Sequence, residues 1–206
     1  MIFVTPAKLD RRTERTRAAL MGAFIAELLE EGYEAVTVER VAERANVGRS
    51  TFYMHYTGKD DILRHSMAHP STVLAVLVGN ELPAEVLAKQ LLHFHDQRRR
   101  NRMFFEGAVR AIWTKCLAGL IEPRLTSLAR QTLARPILPL SQAAMQIAQA
   151  QLDLIANWLV LKPSTPVDRI AEALVASTRA LVLAHLRLTP QTPLMLAGEK
   201  LRVVEA

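Results

Sequence analysis

Arg49, Ser50, Tyr53 and His55 place a guanidinium, a hydroxyl, a phenol and an imidazole along one short stretch with helical spacing, and Lys59 adds an ammonium just beyond it. No acidic residue falls between Arg44 and Lys59. Side chains of these types meet base edges and phosphates in a major groove, so the chemistry open to them is recognition of a polyanion rather than the making and breaking of bonds. Phe52 and Tyr56, four apart, take the inward side of the same stretch. Lys59 follows Gly58 at the expected start of another helix, where a cation and free amides together form a phosphate clamp.

Other elements must hold that stretch in place. Thr37 is suited to cap a preceding helix, its hydroxyl accepting from an amide of the first turn. Val38, Val41, Ala42 and Ala45 recur at three- and four-residue spacing, an apolar stripe about two turns long that is too short to stand alone and must pack on neighbours. Asn46 tolerates the left-handed conformation that turns a chain sharply, Val47 can plug the corner, and Gly48 is expected to give the backbone room to start again. The result is two short helices around a tight turn. A longer helix over about 10–31, amphipathic by Met21, Phe24, Ile25, Leu28 and Leu29 and closed by Gly32, supplies a third wall. A fourth helix should begin near Gly58, with Asp60 and Asp61 at the positive end of its dipole, Ile62, Leu63 and Met67 facing inward, and Pro70 interrupting or ending it.

The net charge of +6 is not what argues for DNA, because residues 1–65 hold ten Lys and Arg against ten Asp and Glu. Distribution matters more. Lys8, Arg11, Arg12, Arg15 and Arg17 gather near the amino terminus and Arg44, Arg49 and Lys59 around the turn, whereas Glu27, Glu30, Glu31 and Glu34 collect at the far end of the first helix. Such segregation lets one face meet phosphates while the other does not repel them. Residues 1–9 read as a flexible arm.

Taken together, residues from about 11 to 64 resemble the DNA-binding domain of the TetR (tetracycline-repressor) family of transcription regulators. The resemblance rests on Gly32-Tyr33, Thr37, Val41-Ala42, Ala45-Asn46-Val47, Ser50-Thr51-Phe52-Tyr53, His55-Tyr56 and Lys59-Asp60-Asp61-Ile62-Leu63. It implies phosphate contacts by Thr37, Thr51, Tyr53, His55 and Lys59, base reading by Arg49 and Ser50, and a buried, supporting role for Phe52 and Tyr56. Asn46 stands where the family often has Gly, a mild departure because Asn reaches the same backbone geometry at modest cost. The fold it implies is all-α, with a three-helix helix-turn-helix DNA-binding domain and its arm over residues 1–64 and a helical effector-binding and dimerisation domain over 65–206. The function it implies is a homodimeric regulator, a repressor in the first instance, released from a near-palindromic DNA operator by a small-molecule effector. A ligand-independent DNA-binding or architectural protein is the alternative, since the turn and its helices say nothing of an effector.

The rest of the chain agrees with a helical protein of two domains. A chain of 206 residues, 50% hydrophobic with only 8 Gly, can bury a proper core. The single Cys116 permits no internal disulfide, fits a reducing cytoplasm and reads as a small buried apolar residue. No apolar run approaches the roughly 18–20 residues needed to cross a bilayer, and the apolar piece at the start is too short for a secretory signal, so a cytoplasmic location is expected. Beyond Pro70 the spacing predicts helices at about 71–79, 84–100, 103–120, 124–134, 140–161 and 167–188, divided by prolines. In the last of these, Ile170, Leu174, Ser177, Leu181, Ala184 and Leu188 form one seam and Val175, Val182 and Leu186 another. With Ile147, Leu154, Ile155, Trp158 and Leu159 of the preceding helix, they point to a four-helix interface between two copies.

Met67, Met103, Phe104, Phe105, Trp113 and Met145 are the candidate lining of an effector pocket, bulky and adaptable, for an apolar or amphipathic small molecule. His65 with His69, and His93 with His95 and Asp96, have spacings worth weighing for a metal, yet no Cys pair or HExxH-type arrangement accompanies them, so no metal or other cofactor is expected. The run Arg98, Arg99, Arg100 and Arg102 reads as the solvated end of a helix. Neither an activated nucleophile, an acid–base pair nor a phosphate-cradling Gly-rich loop is discernible, which argues against an enzyme.

Overall fold

The structure, a computed structural model, describes residues 11–80, 82–96, 101–160 and 165–196. These are all-α. Helix α1 spans Arg11–Glu31, α2 Val38–Arg44, α3 Arg49–Tyr53, α4 Lys59–Ser66, α5 Ala68–Val76, α6 Ala84–Asp96, α7 Gly107–Gln131, α8 Leu140–Val160 and α9 Val167–Leu186, with short 3-10 turns at Tyr33–Ala35 and Arg102–Phe105. The chain divides into two compact units, Met1–Ser66 and Met67–Ala206.

In the first unit α1 packs on α2 and α4, and α2 on α3. The interior is built from Leu20, Phe24 and Leu28 of α1, Val41 and Ala42 of α2, Phe52 and Tyr56 from α3 and its continuation, and Ile62 and Leu63 of α4, all 2% exposed or less. Gly32, at φ 79, ends α1 and donates its amide to Leu28 O at 3.1 Å. At the end of α2, Asn46 N donates to Glu43 O and Val47 N to Ala42 O, both at 2.9 Å, with Asn46 at φ 53. This is the double-bonded, left-handed helix ending in which orphan carbonyls are satisfied by the two residues past the cap. The same device closes α7 at Leu133 (φ 52) and α9 at Arg187 (φ 54). Gly48 differs from expectation. Its φ of −73 and ψ of 153 suit any residue, and a Cβ there would meet only Ser50 Oγ at 3.7 Å, so the turn needs Asn46 and not Gly48.

Two prolines behave differently from the sequence reading. The chain breaks at Met67, and Pro70 lies in the first turn of α5, where its missing N–H would have had no helical partner anyway. Pro123 lies inside α7, so the two helices expected at about 103–120 and 124–134 are one. Pro123 and Gly119, four residues earlier, are both exposed, so the carbonyl that loses its partner faces water instead of the core. Residues 103–105 belong to the separate 3-10 turn.

In the second unit α7 packs along α8 and on α5, while α9 packs on α6 and α8. Its buried polar groups are tied across helices. Trp113 Nε1 donates to Ser71 Oγ at 3.0 Å, and Gln151 Nε2 donates to Leu74 O at 3.2 Å and Thr178 Oγ1 at 3.0 Å. The apolar seams expected to pair two copies are in large part interior to one subunit: Leu174 and Val182 are fully buried, and Ile170 and Leu186 nearly so. What α9 leaves open is a flank with Ala180 and Ala184 exposed and Ser177, Leu181 and Leu188 half-buried beside them. No described helix is long and apolar enough to cross a membrane.

Candidate nucleic-acid interface

The turn between α2 and α3 sets the site. Thr37 caps α2, its hydroxyl accepting from Arg40 N at 3.3 Å, which fixes where α2 starts and hence where Asn46 turns the chain. Phe52 and Tyr56 then anchor α3 from beneath, fully or almost fully buried, with ring centroids 5.8 Å apart. With those two inward, Arg49, Ser50 and Tyr53 are exposed and Thr51 and His55 half-buried. Tyr53, 53% exposed, stands edge-on to Phe52 at 5.6 Å, so its ring is propped up by the core while its phenol faces water. Met54, at 81% exposure, extends the same surface and was not singled out from sequence, where Met reads as core.

The cations are more constrained than the sequence indicates. Arg49 pairs with Glu39 of α2 at 2.8 Å. Arg44, grouped above with the basic residues of the turn, instead donates to Glu27 Oε1 at 3.0 Å and to both oxygens of Glu30 at 2.6 Å. Arg40 Nε lies 2.7 Å from Glu27 Oε2, and its Nη2 lies 3.0 Å from Glu31. The acidic end of α1 is therefore the clasp that holds α2. The Arg44 hydrogen bond holds the Glu30 carboxyl below its ordinary range, and the bonds to Glu30 and Glu27 raise Arg44 in turn.

Lys59 is also partly engaged. Its ammonium donates to Tyr33 O at 3.1 Å and Glu34 O at 3.4 Å and sits 4.6 Å from the centre of the Tyr33 ring. The Tyr33 hydroxyl donates to Asp60 Oδ1, and burial first, then that carboxylate, pushes the phenol far above its ordinary range. Asp61 reaches back to accept from Thr57 N at 2.9 Å, closing the first turn of α4. Lys59 thus sits at the amino end of α4 with its charge balanced by carbonyls and a ring rather than by an acid. Tyr56 carries a buried hydroxyl with no hydrogen-bond partner among the described residues. Burial raises its pKa against the opposing charge of Arg17. Lys8 and the rest of the arm lie outside the described residues.

The geometry defines a helix-turn-helix unit with a polar recognition face. Residues 22–65 match the model of bacterial regulatory proteins, tetR family, and the chain carries that family's DNA-binding domain. The stretch is 40% identical over 58 residues to the uncharacterized HTH-type transcriptional regulator YxbF of Bacillus subtilis (strain 168), covering 28% of this chain and 15% of that protein. It is 35% identical over 57 residues to the HTH-type transcriptional regulator TcmR of Streptomyces glaucescens, covering 28% and 25%. The match spans no more than about a third of the curated relatives' own length. At the level of fold, the structure is similar to a TetR transcriptional regulator from Streptococcus agalactiae 2603V, with a TM-score of 0.54 and 22% identity over 82% of this chain and 96% of that one. It is also similar to NalD, the secondary repressor of the MexAB-OprM multidrug efflux pump in Pseudomonas aeruginosa, with a TM-score of 0.50 and 18% identity over 86% and 99%.

The residues proposed to line an effector pocket lie at different depths in the structure. Phe105 and Trp113 pack at 4.9 Å within an aromatic cluster that includes Phe94, and Met67 is 2% exposed. Met103, Phe104 and Met145 are half-buried. Trp113 borders a small cavity of about 20 Å³ with Pro70, Leu91 and Ile155. A larger cleft of about 460 Å³ lies elsewhere in this unit, between Leu77, Leu82, Val175, Arg179 and Leu194. That cleft is made by aliphatic residues distant in sequence, and no local pattern announces it.

Among the described residues no group of three or more His, Cys, Asp or Glu is placed to hold a metal. His65 Nδ1 lies 2.9 Å from Asp61 O, and His95 stacks on Trp158 at 5.0 Å. The side chain of His93 and residues Arg98, Arg99 and Arg100 lie outside the described part, while Arg102 donates to Glu106 at 2.7 Å.

Proposed function

We propose that the chain is a homodimeric transcriptional regulator, acting as a repressor, that binds a near-palindromic operator through α3 and is released by a small-molecule effector held in the second unit. The observation that carries this reading is the division of α3: Phe52 is buried on one side, with Arg49, Ser50 and Tyr53 exposed on the other, in a stretch with the family's residues. Arg49 and Ser50 read base edges, where a guanidinium suits guanine. Thr37, Thr51, Tyr53, His55 and Lys59 contact phosphates and set the register. Lys59 does so by turning its ammonium from the Tyr33 carbonyl toward the backbone, or by holding the amino end of α4 against it. Two copies joined along α8 and the open flank of α9 present two recognition helices to half-sites about 34–36 Å apart. Selection of bound sequences from a random DNA pool by the full chain tests this reading. An enriched, two-fold symmetric site with half-sites one helical turn apart is the expected result, and absence of any enrichment overturns it.

A further inference from the structure

In the second unit, the described segment after α9 is fastened at several points. Arg179 Nη2 of α9 donates to Pro190 O at 2.9 Å and Thr192 O at 3.0 Å. Leu196 N donates to Gly79 O at 2.7 Å, and Leu194 is 6% exposed. Thr189–Leu196 is therefore a strap laid from the end of α9 across to the turn after α5, and its Leu194 forms one wall of the cleft of about 460 Å³.

That volume lies in the range of small-molecule sites, roughly 300–1,000 Å³. Its walls are aliphatic, from Leu77, Leu82, Val175 and Leu194, and its rim carries Arg179 and Asn80. Among the described residues Arg179 is the only cation bordering it, and none of the described acidic side chains is paired with it. One nitrogen, Nη2, makes both bonds to the strap, so Nε and Nη1 carry no partner among the described residues. A planar guanidinium in this state prefers a carboxylate, which it can grip with two parallel bonds and whose single charge it balances. At roughly 100° per residue, Val175 and Arg179 lie to one side of the buried face of α9, and Ser177, Ala180 and Ala184 to the other. The cleft thus stays open when two copies meet along the small-residue flank.

We propose that this cleft binds a small amphipathic monocarboxylate, its apolar body against Leu77, Val175 and Leu194 and its carboxylate on Arg179, with the strap as part of the site. This deepens the effector reading by giving it a place and a chemical class, and it rests on that reading only for the link to DNA. Because Arg179 holds both the strap and the ligand, occupation and strap position are coupled.

The test is isothermal titration of the full chain with hexanoate, octanoate and decanoate and with the matching primary alcohols. At least one carboxylate binds saturably, and its alcohol binds at least about tenfold more weakly, as expected on loss of a charged hydrogen-bond partner. Arg179→Gln abolishes the preference for acid over alcohol, and Val175→Trp, which fills the cleft without touching the strap bonds, abolishes both. Each variant is first matched to the wild type by circular dichroism, and either one that folds suffices. Absence of saturable carboxylate binding, equal affinity for acid and alcohol, or wild-type binding by a folded variant overturns the site. Selection from the DNA pool on the same preparation separates the two readings. DNA selection without carboxylate binding overturns the cleft and leaves the regulator standing. Binding that depends on Arg179 in a chain that selects no DNA supports the cleft and overturns the regulator.

Discussion

Arg49 of α3 and Glu39 of α2 face one another across the turn, Nη2 to Oε1 at 2.8 Å, so the guanidinium offered as a base reader is held by an acid in the unbound molecule. Both side chains are more than half exposed, at 62% and 53%, and such pairs are worth at most about 1 kcal/mol. DNA can therefore take Arg49 at little cost, while Glu39 restrains its rotamers and repels phosphate. Glu39→Gln is expected to tighten binding to the selected operator and to random DNA alike. Arg49→Ala is expected to cost about 1–3 kcal/mol on the operator with little change on random DNA. Fluorescence anisotropy on both duplexes measures this, and equal losses from Arg49→Ala would remove its assignment as a base reader.

Glu27 separates structure from recognition in the same unit. Its side chain is 7% exposed between Arg40 and Arg44, whereas that of Glu30, which also binds Arg44, is 55% exposed. Glu27 Oε1 accepts from Arg44 at 3.0 Å while Oε2 touches Arg40 in an ionic contact, so one buried carboxylate is held between two cations. Glu27→Ala leaves both guanidiniums able to turn to water and is expected to destabilise the first unit by about 1–3 kcal/mol. Glu30→Ala is expected to shift the urea midpoint hardly at all. Equal shifts from the two would show that burial of Glu27 contributes nothing.

The first unit was legible in the sequence because its signals are local. The Thr37 cap, the left-handed Asn46 and the pair Phe52 and Tyr56 each act over two to four residues, and the chain does at those points what their types dictate. Contacts that cross elements were not legible. Nothing near Arg44 or Arg49 in sequence says that the one will be tied to Glu27 and Glu30 and the other to Glu39. In the second unit Pro123 reads in sequence as a break, but the cost of an internal proline depends on which side of the helix loses its bond, and here that side faces water. Bulk at helical spacing does not by itself distinguish a pocket lining from a core. The cleft instead brings together Leu77, Val175, Arg179 and Leu194 from three separate elements.

Two phenols in the first unit make its stability sensitive to alkali. Burial raises both Tyr33 and Tyr56, and the Asp60 carboxylate adds to the effect at Tyr33. A phenol whose folded pKa is raised stabilises the fold fully below its unfolded value of about 10, and that contribution is lost as pH climbs through the folded value. Thermal melts from pH 8 upward are expected to fall above about pH 10. Tyr33→Phe is expected to lower the melting temperature at neutral pH by removing the Asp60 bond while flattening the alkaline fall. An alkaline limb unchanged in Tyr33→Phe, Tyr56→Phe would assign the fall to other groups.

Ala184 is exposed on the flank of α9 opposite Arg179. A long cation there leaves a lone subunit undisturbed but blocks close approach of a second helix. In the proposed dimer, Ala184→Arg is expected to convert dimer to monomer in sedimentation and, with one recognition helix per particle, to weaken operator binding by at least about tenfold through lost multivalency. A variant that stays dimeric would move the interface off this flank.

Gly79 is where the strap depends on the smallest residue. Its φ is +90, and a Cβ placed there would lie 2.8 Å from Leu196 Cγ and 3.3 Å from Leu128 Cδ1, while its carbonyl accepts from Leu196 N. Gly79→Ala meets two separate penalties, a backbone conformation that L-residues avoid and a side chain wedged against the strap, together about 1–3 kcal/mol. The expected outcome is a lower melting temperature together with faster carboxypeptidase trimming past Leu194. Leu196→Ala in the same chain removes the wedge but not the φ penalty and the trimming rate tells them apart: partial recovery assigns the effect to both, full recovery to the wedge alone. If Gly79→Ala neither melts earlier nor trims faster, Leu196 is not held against this turn.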